Sequence, residues 1–158
     1  HGDARRALDL LRVAGELAER SGCQKILVEH VDNAQEKVDC DRVLEVVKSQ
    51  PKQSQAILFS ILKLSERGTD QKNIKNERLP EIETGNVCDY YQKICGKFGL
   101  KPLTQRRISD LIAEFDLFGI ISTKVVSRGR YGRTRIINLA LDEDLQKKVE
   151  GILAERFY

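Results

Sequence analysis

Apolar residues recur every three to four positions from the start of the chain. In DARRALDLLRVAGELAERSG, Ala7, Leu10, Leu11, Ala14, Leu17 and Ala18 fall on one stripe, which predicts an amphipathic helix from Asp3 to Arg20. Asp3 is placed to cap its start and Gly22 to end it. The spacing then breaks. Ile26–Val28 reads as a short extended piece, after which Val31, Ala34, Val38, Val43, Leu44, Val46 and Val47 resume helical spacing as far as Lys48. Pro51 marks a break or the first turn of the next helix. Residues 1–48 hold few large apolar side chains, so this first unit is expected to lean on another body.

A denser pattern begins near residue 49 and runs to residue 158. SQAILFSILKLSERG predicts a strongly apolar helix with Ile57, Leu58, Ile61, Leu62 and Leu64 towards a core, followed by a polar loop from Thr69 to Gly85. NVCDYYQKICGKFG predicts a second helix, with Val87, Tyr90, Tyr91, Ile94 and Phe98 spaced for burial. A third follows in LKPLTQRRISDLIAEFDLFG, where Leu103, Ile108, Leu111, Ile112 and Phe115 share a face and Gly119 ends the run. ISTKVVS and TRIINLAL read as strands flanking SRGRYGRTR, and DEDLQKKVEGILAERF as a last helix with acidic residues in its first turn. The expected fold is therefore mainly α with a small β-hairpin. Helix–turn–helix followed by a two-stranded hairpin is the winged-helix arrangement.

Composition bounds the function. Of the 158 residues, 41% are hydrophobic and 32% charged, the balance of a soluble globular protein, and no apolar run approaches the roughly 18 residues that span a membrane. The net charge of +3 is small, but its distribution is uneven. From Lys101 to Arg135 eight basic residues face three acidic ones, leaving the rest of the chain net negative. A segregated basic segment suits a polyanion, although a charge run can also be a solvated face. Cys23, Cys40, Cys88 and Cys95 fit no zinc spacing with His1 and His30; Cys88 and Cys95, seven apart on a helix, are expected to be small buried thiols. There is no methionine, so the chain is expected to be a piece of a longer protein.

Two clusters carry candidate chemistry. At the start of the third helix stand Lys101, Thr104, Gln105, Arg106 and Arg107, the end that a helix–turn–helix protein inserts into the major groove. Arg can pair with guanine, Gln with adenine, and Thr with phosphate or a thymine methyl; the plainer reading is a solvated helix start whose arginines pair with acids such as Asp110. In the turn, Arg128, Arg130, Arg133 and Arg135 have little acidic company, Gly129 and Gly132 allow close backbone approach, and Tyr131 adds a stacking group. A basic helix start beside a basic wing predicts contact with one DNA duplex. A metal site is not expected.

GDARRALDLLR, together with PLTQRRISDLIAEFDLFGII and GRYGRTR, resembles the archaeal origin-recognition initiator family, relatives of the eukaryotic origin recognition complex large subunit and the cell-division-cycle loading ATPase. The resemblance covers essentially the whole chain. It implies AAA+ lid helices over residues 1–48 and a winged-helix DNA-binding domain over 49–158, as the C-terminal part of a replication initiator and helicase loader. It implies double-stranded origin DNA as ligand, a replicative helicase or other initiator subunits as partners, no membrane, and a cytoplasmic, nucleoid-associated archaeal setting. Gly-Asp-x-Arg resembles the sensor-2 motif, so Arg5, with Arg6 as second candidate, would reach the nucleotide phosphates; ATP or ADP with Mg is implied for the longer protein. No G-x-x-x-x-G-K-[ST] loop lies in these residues, so this piece is expected to carry no cofactor and no hydrolytic activity of its own. Two other readings share the chemistry: a winged-helix transcriptional regulator, and a winged-helix interaction module docking an acidic surface.

Overall fold

Most of the described residues belong to one of six helices or a three-stranded sheet. The computed structural model describes residues 4–70 (the side chains of 67–70 excepted), 81–127, 129 and 132–157. The expected cap Asp3, the turn residues Arg128, Arg130 and Tyr131, and residues 71–80 lie outside the described residues. The chain divides into two units, His1–Glu45 and Val46–Tyr158.

In the first unit, α1 (Ala4–Arg20) precedes the longer part of α2 (Val28–Ser49). Gly22, at φ +69°, stops α1, and the Cys23 N–H donates back to the Ala18 carbonyl at 2.9 Å. The extended piece expected at Ile26–Val28 is not a strand. Val28 already belongs to α2, because the N–H of Leu27 donates to His30 Nδ1 at 3.1 Å while the His30 N–H donates to the Leu27 carbonyl. That is the return half of a capping box, with histidine in the place of glutamate and the Leu27 backbone carbonyl in the place of a side-chain acceptor. The buried apolar positions of this unit are alanines: Ala14, Ala18 and Ala34. Leu11, expected inside, is 56% exposed, and Leu8 beside it 66%.

The second unit is built around α3 (Lys52–Asp70), whose residues from Ser54 to Leu62 are all buried. A helix apolar all round has to be enclosed, and here α4 (Thr84–Phe98), α5 (Gln105–Leu117) and α6 (Glu143–Phe157) enclose it with the sheet. Leu64 is half-buried rather than central. Phe157 stacks on Phe59 at 5.6 Å and meets Phe98 edge-on at 5.5 Å. Asp142 caps α6, its carboxylate accepting from the Leu145 N–H at 2.8 Å. Cys88 and Cys95 are buried on α4, and burial pushes the Cys88 thiol pKa up.

Buried polar side chains in this unit are tied. Gln55 donates to the Val47 carbonyl at 2.8 Å, satisfying an orphan carbonyl at the end of α2, and accepts from Arg156 at 2.7 Å. Lys63 bonds Glu66 at 3.0 Å and also Glu150, whose carboxyl it holds below its ordinary pKa.

The sheet departs from the expected hairpin. β2 (Ile121–Ser127) and β3 (Arg133–Leu139) pair antiparallel, and β1 (Ile82–Glu83) adds to the other edge of β3, giving the order β1-β3-β2. Ile82 lies opposite Ile137, within the stretch read from sequence as a polar loop. Two residues are too few to show alternation; β3 recruits them because its outer edge would otherwise stand unpaired beside the core.

Candidate nucleic-acid interface

α4 ends at Gly99, φ +62°, and the chain turns through residues 100–104 into α5. This turn is held by side chains from other elements. The buried Tyr91 hydroxyl donates to Gln53 Oε1 and accepts from the Leu103 N–H at 3.2 Å; Gln53 in turn donates to the Lys101 carbonyl at 3.0 Å. Burial, more than any bond, pushes the Tyr91 pKa up to about 12. Thr104 then caps α5, its hydroxyl accepting from the Arg107 N–H at 3.3 Å. Ile108, Leu111, Ile112 and Phe115 anchor the inner face, which leaves Lys101, Thr104, Gln105, Arg106 and Arg107 on the outside, as their spacing predicts.

These exposed groups are not equivalent. Arg107 pairs with Glu114 at 3.5 Å, the nearby-acid arrangement, though with Glu114 and not Asp110. The side chains of Lys101, Gln105 and Arg106 have no partner among the described residues.

The hairpin stands against the same helix. Thr123 of β2 donates to Asp116 at 2.7 Å, and Arg135 of β3 donates to the Ser109 carbonyl at 3.2 Å. Between helix and sheet runs a groove of about 500 Å³, lined by Gln105, Ser109, Val125, Arg133 and Arg135, by Thr84 at the start of α4, and by the Glu83 carboxylate, which accepts from Thr134. Of the sequence-based candidates the structure thus brings Gln105, Arg133 and Arg135 together. Thr84, Ser109 and Val125 were not singled out, since nothing in their local sequence marks them. At the tip, Gly129 and Gly132 hold φ of +61° and +87°, and the Gly132 N–H donates to the Gly129 carbonyl at 3.1 Å. Both positions need glycine's freedom, and a backbone hydrogen bond closes the turn.

In the first unit Arg5 and Arg6 lie on the exposed first turn of α1. Arg6 pairs with Asp39 of α2 at 2.8 Å. Arg5 lines a cleft of about 560 Å³ with Arg12, Arg42, Asp39 and Glu45. Guanidinium groups on this cleft fit a phosphate, whereas the carboxylates among them offset that field, so a nucleotide would need further groups.

Helix, strand, helix, turn, helix and a hairpin standing beside the third helix define a winged-helix domain. Residues 45–149 match the family described as CDC6, C terminal winged helix domain, and residues 1–36 match the Cdc6 AAA+ ATPase-type lid domain. The chain belongs to this Cdc6 family, as a lid segment followed by its C-terminal winged helix. The ORC1-type DNA replication protein of Pyrococcus abyssi is 53% identical over 139 residues, 88% of this chain and 31% of that protein. The ORC1-type DNA replication protein 1 of Methanosarcina mazei is 48% identical over 94% of this chain and 34% of its own length. The chain spans about a third of the length of these curated relatives. Among solved structures, the Aeropyrum pernix ORC1 protein in complex with DNA superposes with a TM-score of 0.79 at 42% identity, over 99% of this chain and 38% of that one.

Proposed function

We propose that this chain is the lid and winged-helix part of an ORC1-type replication initiator, and that its winged helix binds double-stranded origin DNA. The observation that carries the reading is the groove between α5 and the hairpin: Gln105 and Arg133 line it without side-chain partners among the described residues, with exposed Arg106 beside Gln105 and exposed Lys101 in the turn before α5. The helix start enters the major groove, where Gln105 and Arg106 reach base edges and Lys101, Thr104 and Arg107 brace phosphates. Arg128, Arg130, Tyr131, Arg133 and Arg135 of the wing follow the adjacent minor groove and backbone, for which guanidinium is better shaped than ammonium. Within the longer protein, the lid over residues 1–48 presents Arg5 to the phosphates of ATP or ADP bound with Mg, and the winged helix over 49–158 meets helicase or fellow initiator subunits in the cytoplasm. The transcriptional-regulator reading leaves the lid segment without a use.

Anisotropy titration with a labelled duplex at several salt concentrations tests the reading. Four to six neutralised phosphates give a slope of log K against log salt of roughly −4 to −5. In the Arg130→Glu/Arg133→Glu double variant both affinity and slope fall. Unchanged values in that variant would remove the wing from the interface.

A further inference from the structure

Arg133 and Arg135 occupy alternate positions of β3 and therefore share the sheet face that looks onto α5. The same face carries Val125, directly opposite Arg135, and Thr123, which is bonded to Asp116. The two arginines nevertheless have different surroundings. Arg133 is exposed, with no side-chain partner among the described residues. Arg135 is half-buried, and its NH1 donates to the Ser109 carbonyl. That carbonyl lies early in α5, where the helix ladder uses only one of its two lone pairs. The guanidinium takes up the other, so a long flexible cation is held across the floor of the groove by a neutral helix acceptor.

The inner end of the hairpin is fixed independently, because Ile121 and Ile137 are buried and Thr123 is bonded to Asp116. The outer end, towards the wing tip, lies beyond that anchorage; there Thr134 donates to Glu83 and the Arg135 carbonyl accepts from Thr84, which tie β3 to β1 and α4, while the Arg135 side chain fastens it to the start of α5. We infer that Arg135 is a positioning residue: it pins β3 to the recognition helix and sets the separation at which Arg133 and the wing tip stand from Gln105 and Arg106. A DNA duplex has fixed groove spacing, so a helix and wing that engage it together must be held at a matching distance. The inference rests on the DNA-binding reading above and refines it, moving Arg135 from the contacting set to the supporting one.

A double-mutant cycle on the 158-residue chain tests it, using a fluorescein-labelled mixed-sequence duplex of about 30 base pairs, roughly three helical turns. Arg133→Ala weakens binding about fivefold and lowers the salt slope by about 0.9, as loss of one phosphate contact requires. Arg135→Ala weakens binding at least as much, and the Arg133→Ala/Arg135→Ala pair is little worse than the poorer single, because an unpinned wing has already lost what Arg133 contributed. Arg135→Lys, which still carries a donor to the Ser109 carbonyl, recovers most of the affinity. In DNA-free protein the carbonyl carbon resonance of Ser109 shifts in Arg135→Ala and returns towards the wild-type position in Arg135→Lys. Multiplicative losses, with the slope falling by about 0.9 at each step and the Ser109 resonance unmoved, overturn the inference and make Arg135 a second phosphate contact while keeping the DNA reading. A wild-type chain that holds no duplex at low salt defeats the DNA reading and, with it, the positioning role.

Discussion

Replacing Tyr91 by Phe isolates one hydroxyl. The ring is fully buried and stays so, which leaves apolar packing almost unchanged. What disappears is the acceptor for the Leu103 N–H and the donor to Gln53 Oε1, the two bonds that fix the turn into α5. A net hydrogen bond is worth about 0.5–1.5 kcal/mol, and a stranded buried group costs about 1–3 kcal/mol. Leu103 and Gln53 are only half-buried, so water relieves part of that penalty, and the expected loss is about 2 kcal/mol. For a unit of this size the thermal midpoint falls by roughly 6–9 °C.

The pH dependence supplies a second test of the same buried hydroxyl. The Tyr91 pKa rises from the ordinary 10 to about 12 on folding, so above pH 10 the unfolded chain ionises while the folded one does not. Stability present below pH 10 is therefore lost as pH climbs towards 12. The Phe variant has no such group. Urea unfolding followed by far-ultraviolet circular dichroism should show a gap of about 2 kcal/mol at neutral pH that closes on the alkaline side. Curves that stay parallel through the alkaline range, or a neutral gap below about 0.5 kcal/mol, would refute the reasoning.

Other perturbations probe separate parts of the chain. Glu150→Gln removes a carboxylate whose pKa Lys63 lowers, so wild-type stability is present above the ordinary value of 4.5 and lost as pH falls through the lowered one. Lys63 keeps Glu66 as a partner, so the variant loses less than about 1 kcal/mol at neutral pH and shows a flatter acid limb in urea titrations. In the first unit, His30→Ala takes the acceptor from the Leu27 N–H and weakens the start of α2 by about 0.5–2 kcal/mol, read as faster amide exchange over its first turn; His30→Gln retains most protection.

The helices of the second unit were legible because burial on one side imposes a period: Val87, Tyr91 and Ile94, or Ile108, Leu111, Ile112 and Phe115, announce both a helix and its inward face. Their stops were equally readable, since Gly99 and Gly119 adopt the positive φ that other residues avoid. The first unit was read less well. Leu11 was expected inside, yet it is exposed, while Ala14 and Ala18 of the same stripe are buried. β1 escaped notice because its pairing is decided by β3, more than fifty residues away, and a two-residue strand carries no pattern of its own. The candidate site divides along the same line. That α5 begins with exposed cations follows from helical period; that Arg107 turns to Glu114 and Arg135 to Ser109 depends on register between elements. Nor could Gln53 and Tyr91 be picked out as a scaffold for the interface, since a single polar group in an apolar run shows its partner only after folding.

The enclosure of α3 has a consequence for how this protein can vary. From Ser54 to Leu62 the helix has no solvent side, so inserting or deleting one residue rotates everything beyond it by about 100° and advances it by 1.5 Å. A deletion here would drive Lys63, with its ties to Glu66 and Glu150, into the place of Leu62. Substitutions of matched volume remain open along this stretch, but its length is fixed, and the helix serves as a ruler against which the interface is measured.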